Sequence, residues 1–128
     1  MNYYFSKETN FSFDEAIEKV KESLKTEGFG VLTDIDVKET LKNKLNVEFK
    51  NYRILGACNP PFAYKALLEV DKIGLMLPCN IIVHEKDNGK IEIAAINPLS
   101  SMQNINNENL KEVANIISQK LQNVVNNL

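Results

Sequence analysis

The chain is poor in several residue types, and each shortage narrows what it can be. Arginine occurs once, at Arg53, so fourteen of the fifteen basic residues are Lys. Nucleic-acid binders usually carry a basic excess with Arg among the base-reading groups. Here the net charge is −2 and the Lys are interspersed with Asp and Glu, the pattern of a solvated surface, so nucleic acid is not an expected partner. No stretch approaches the ~18 apolar residues of a membrane span, and a membrane is not expected either. Residues 1–10 lack a basic segment followed by an apolar run, which reads as the absence of a secretion signal and as a cytoplasmic protein. Histidine occurs once, at His84, and cysteine twice, at Cys58 and Cys79. Zinc needs four ligands from Cys, His and carboxylates, and these three residues stand in no ligand-type spacing, so no metal and no cofactor is expected. A chain without a secretion signal is also a poor setting for a structural disulfide. There is no Gly-rich phosphate loop, Ser elbow, CxxC or HExxH. A Ser-His-Asp triad would have to use His84, and no Ser has a supporting context. Trp is absent while Asn occurs seventeen times; with many Lys and Ile, that is the signature of AT-rich coding and carries no functional message.

What remains is ordinary globular composition: 128 residues, 44% hydrophobic and 25% charged. One domain, 1–128, of this length buries roughly two-thirds of the surface of its unfolded chain. The aromatic segment 2–5 reads as a strand. Ser12 then offers a cap with Glu15 three residues on, Phe11 and Ala16 form a hydrophobic staple, and Phe13, Ala16, Ile17, Val20 and Leu24 line one helical face that Gly28 ends. Val31, Thr33, Ile35 and Val37 alternate with Leu32, Asp34 and Asp36, a strand with one apolar face. Leu41 and Leu45 suggest a short helix. Residues 52–58 form a strand, and Asn59-Pro60-Pro61 opens a helix with a capping residue and prolines in the first turn. Strands at 81–85 and 91–97 flank Asn88-Gly89, the strongest short hairpin signal. Pro98 stops the second, and Leu110, Val113, Ala114, Ile117, Leu121, Val124 and Leu128 define a long amphipathic helix. The predicted fold is α+β in the order β-α-β-(short α)-β-α-β-β-α, with a partly antiparallel sheet and the long helices packed on one face.

Asp34-Ile35-Asp36-Val37, Ile54-Leu55-Gly56-Ala57-Cys58-Asn59-Pro60 and Gly74-Leu75-Met76-Leu77-Pro78-Cys79-Asn80 together, in that order and spacing, resemble the family called domain of unknown function 302. The resemblance covers nearly the whole chain. It implies a small fold similar to the TATA-binding-protein-like class and a tendency to form homodimers, and it brings no settled activity. Fold alone does not carry DNA binding. Two positions depart from the family pattern: Asp34 stands where Glu is frequent, and Asn97 precedes Pro98 where Asp is common.

Cys58 and Cys79 are the candidate catalytic residues. Cys58 ends a strand just before a helix N-terminus, where the dipole and unpaired N–H groups favour thiolate; equally, Cys packs as a small apolar core residue, and Pro60 and Pro61 remove two donors. Cys79 follows Pro78 and, like Cys58, precedes an Asn. Either both thiols line a common pocket, or Asn59 and Asn80 satisfy backbone at element ends while each Cys fills a tight spot. If strands 52–58 and 81–85 are antiparallel neighbours the cysteines approach; if parallel, they sit at opposite ends. Asp34 and Asp36, two apart on a strand, share a face and could do acid/base work, or else be solvated or cap the following helix. His84 reads as an edge or surface residue. The candidate binding set is Asp34, Asp36, Cys58, Asn59, Cys79 and Asn80. The resulting expectation is a homodimer that binds a small-molecule ligand or a partner. The alternative is a thiol-based redox protein, or a thiolate ligand to metal or haem, using Cys58 and Cys79. A third expectation is an assembly role for the outer side of residues 107–128.

Overall fold

The computed structural model describes residues 2–128. Five strands form one sheet: β1 (Tyr4–Thr9), β2 (Gly30–Asp36), β3 (Tyr52–Cys58), β4 (Cys79–Glu85) and β5 (Ile91–Ile96). Their spatial order is β1-β5-β4-β3-β2, and all four pairings are antiparallel, so the sheet contains no parallel pair. The helices are α1 (Phe13–Thr26), α2 (Val37–Leu45), α3 (Pro60–Glu69), α4 (Pro98–Ser101) and α5 (Glu108–Asn126), with a 3-10 helix at Asp71–Met76 between α3 and β4.

The local chemistry that starts the long helices is visible atom by atom. The Ser12 hydroxyl accepts from the Glu15 N–H at 3.2 Å, and the Asn107 side chain accepts from the Leu110 N–H at 2.9 Å; each satisfies a backbone donor that the helix leaves open. Gly28, at φ +84°, takes the left-handed conformation after α1 that a side chain would resist. The apolar stripes of α1 and α5 lie side by side on one sheet face. Ala16, Val20, Leu24, Leu121 and Val124 pack there against Leu55, Ile81, Val83, Ile93 and Ala95.

Two expectations shift. The first strand is Tyr4–Thr9 rather than 2–5, because pairing with β5 from Tyr4↔Ile96 to Thr9↔Ile91 fixes it. The single apolar face expected for β2 is split by an irregularity between Val31 and Thr33. Such a bulge moves the following side chains to the other face: Val31 packs on the core, while Ile35 opposes Ile54 and is 47% exposed. The strand then ends at Asp36, and Val37 already belongs to α2.

The face away from the helices carries a row that crosses all five strands, Ser6–Ala94–Ile82–Ile54–Ile35. His84 lies on this face. It is not an edge residue, because β4 is the middle strand. Its Nε2 is 2.8 Å from the Glu92 carboxylate, and Tyr52 lies against its ring at 5.3 Å between centroids.

Candidate functional site

Antiparallel pairing of β3 and β4 brings the end of one beside the start of the other, with Ala57 opposite Cys79. The question the sequence left open is thereby answered: Cys58 and Cys79 stand at the same end of the sheet. Pro60 turns the chain from β3 directly into α3, and α3 packs on α5. The apolar residues in this region form a second cluster, Ala66, Ile73, Met102, Leu110 and Ala114, distinct from the main core. Between the two clusters lies a cavity of about 350 Å³. Ala57, Cys79 and Ile117 line it from the main core, and Ala66, Met102 and Ala114 from the second cluster. The walls stay apart because alanine occupies facing positions on α3 and α5 where larger side chains would interdigitate. The volume falls within the range of small-molecule sites, roughly 300–1,000 Å³.

Both cysteines line this cavity and both are free thiols. Cys79 is 8% exposed. Burial pushes its pKa up to about 11, with the neighbouring Cys58 adding to the rise, so at neutral pH it is a neutral thiol and a weak nucleophile. Asn59 also lines the cavity. It occupies the cap position of α3, but its side chain makes no cap hydrogen bond. Instead Nδ2 donates to the Glu27 carbonyl at 3.0 Å, tying the β3–α3 corner to the end of α1.

The other expected residues lie elsewhere. Asn80 is on the opposite sheet face, in a shallow groove with Tyr52, Ile82 and Glu92. Asp34 is ion-paired with Arg53, whose Nε donates to Oδ1 at 2.7 Å and whose second nitrogen meets Oδ2. That guanidinium holds the Asp34 carboxyl below the usual range. Asp36 caps α2, accepting from the Glu39 N–H at 3.0 Å. The two carboxylates therefore have separate structural partners and neither lines the cavity. On α5, Ile116 is the one exposed large apolar residue among those described, which leaves that helix without the outer patch an assembly role would need. Among the described residues no three His, Cys, Asp or Glu gather to hold a metal ion, and no helix is long and apolar enough to cross a membrane. Phe62 and Met102 were not singled out from the sequence, and Ala66 and Ala114 were read only as parts of apolar helix faces. The available signal was the run of alanines, Ala63, Ala66 and Ala114, on helix faces that otherwise carry Leu, Ile and Val.

The family profile described as Domain of unknown function DUF302 matches residues 5–128. The chain belongs to the DUF302 family. It is similar to a solved structure titled as an uncharacterized conserved DUF302 protein from Bacillus stearothermophilus, with a TM-score of 0.91, 32% identity and coverage of 98% of both chains. No curated protein matches. In this DUF302 chain Asn97 is 6% exposed and fully engaged. Its Oδ1 accepts from the Leu99 N–H at 3.1 Å and from the Ser118 hydroxyl at 2.8 Å, and its Nδ2 donates to the Asn2 carbonyl at 3.0 Å. The position does structural work between β5, α4 and α5.

Proposed function

We propose that this DUF302 chain binds a small, largely apolar molecule in the cavity between β3, β4, α3 and α5. The observation that carries the reading is the cavity itself. A cavity of about 350 Å³ lined by apolar side chains has the size and chemistry of a small-molecule site. The exposed side chains of Leu32 and Leu67 line it as well and give it an apolar mouth. Titration with the neutral fluorophore N-phenyl-1-naphthylamine tests this. Saturable enhancement is expected in the native protein and should be lost in Ala66→Leu; equal enhancement in both would overturn the assignment.

The same reading includes association of two copies through the uncovered sheet face. Ile35, Ile54, Ile82 and Ala94 make a continuous apolar row there. Five strands of about six residues cover roughly 500 Å² in projection, more in accessible area. This approaches the ~800 Å² that each partner contributes to a stable interface. Sedimentation equilibrium should give twice the chain mass, and Ile54→Glu should give the single mass. A native protein that sediments as one chain contradicts it.

The thiol reading is supported by the two cysteines lining one cavity. The high pKa of Cys79 weighs against a redox couple at neutral pH, and we place it second.

A further inference from the structure

Asn59 apart, the cavity is lined by apolar side chains, and two lysines lie beside one of those lining residues. Phe62, in the first turn of α3, lines the cavity. Two ammonium groups sit against its ring: Lys65 Nζ at 5.0 Å from the centroid and Lys120 Nζ at 5.9 Å. They come from different helices, α3 and α5, and converge on one aromatic side chain. Neither has a carboxylate within ion-pair distance among the described residues. Among the described residues, Lys42, Lys86, Lys90 and Lys111 are the lysines that find one. Two positive charges beside one ring, with no carboxylate paired to either, favour an anion there, which would gain charge-assisted hydrogen bonds. Apart from Asn59, whose Nδ2 donates to the Glu27 carbonyl, the lining offers apolar carbon, thiol and thioether groups.

We propose that the ligand of this cavity is an amphipathic anion: a monomeric aliphatic carboxylate whose chain fills the space between Ala66, Met102 and Ala114 and whose headgroup lies between Lys65 and Lys120. The proposal rests on the cavity being a binding site and adds the chemical class of what enters it. The two lysines act as the polar groups that fix the direction of an otherwise featureless chain, as a few placed polar groups do in apolar pockets generally. Cation–π contact holds both ammonium groups beside Phe62.

The test compares three ligands of equal chain length, decanoate, decanol and decylammonium, each below its micellar concentration, by calorimetric titration of the native protein and of the Lys65→Gln/Lys120→Gln double variant. Both lysines are at least partly exposed, so the variant keeps the fold, which its melting curve checks. Decanoate is expected to bind the native protein roughly tenfold more tightly than decanol, the worth of one charge-assisted hydrogen bond. Decylammonium should bind most weakly. In the double variant the decanoate preference should fall to near unity while decanol binding is unchanged. Decanol binding as tightly as decanoate, or a preference that survives in the double variant, overturns the anion assignment and leaves the cavity reading standing. Failure of all three to bind overturns both.

Discussion

The two apolar clusters of this protein are built from the same kinds of residue and end differently. In the main core, α1 and α5 present Val20, Leu24, Leu121 and Val124, all fully buried, against the branched side chains of β4 and β5, and the surfaces close. Where β3 hands over to α3, the facing positions are Ala57, Ala63, Ala66 and Ala114, and the surfaces do not close. Burial alone does not separate the two regions, because Ala66 and Ala114 are as buried as their counterparts. What separates them is side-chain volume at facing positions, and therefore whether a molecule has room to enter.

Substitutions can break or sharpen that contrast. The largest effect is expected at the closed end: Leu121→Ala should cost about 2–5 kcal/mol in denaturant unfolding, since it creates a cavity where none exists. Next, Ala16→Leu, at a fully buried site on α1, should cost about 1–3 kcal/mol by overpacking. The matching change at the open end, Ala66→Leu, should alter stability by less than about 1 kcal/mol, because Ala66 borders the cavity and the added atoms can extend into it instead of into packed side chains. Equal costs for the two alanine substitutions would erase the distinction between the clusters.

Away from both clusters, Arg53→Ala should cost about 1 kcal/mol at neutral pH, as a partly exposed bidentate pair is lost. Asp34 has a lowered pKa with Arg53 as the main cause. Its contribution is therefore present above the ordinary carboxylate value of ~3.9 and is lost as pH falls through the lowered one. The gap between native and variant stabilities should close in acid; a gap that persists unchanged once Asp34 is protonated would mean that the ion pair is not its source. At the cavity, Cys79 should react with a thiol reagent slowly at pH 7, its rate rising with pH toward the titration near 11. A rate that is already maximal at neutral pH would restore the thiol reading to first place.

Much of the fold was legible because it depends on neighbours in sequence. Ser12 and Glu15 announced α1, Asn88-Gly89 announced the β4–β5 hairpin, and the heptad-like stripe from Leu110 onward announced α5. The family resemblance was legible in the segments around Cys58 and Cys79, and the antiparallel register later explained why those segments belong together. What the sequence hid was long-range. The split face of β2 follows from a bulge that shows only when Val31 and Thr33 meet β3. Asp34 looked like one of a carboxylate pair because its partner, Arg53, is nineteen positions away. Asn59 looked like a cap because it precedes two prolines, yet its donor is used by Glu27 across the corner. The cavity was hardest to see, since its one local sign, alanines on helix faces that otherwise carry larger apolar residues, does not say whether those faces meet.

The most direct test of the account is a methyl-labelled alanine spectrum recorded while decanoate is titrated in. The account predicts that the resonances of Ala57, Ala63, Ala66 and Ala114, which line the cavity, move together and saturate, while Ala16 in the closed core and Ala94 on the uncovered face stay in place. Shifts at Ala94 with the cavity alanines unmoved would contradict it and place the binding surface on the other side of the sheet.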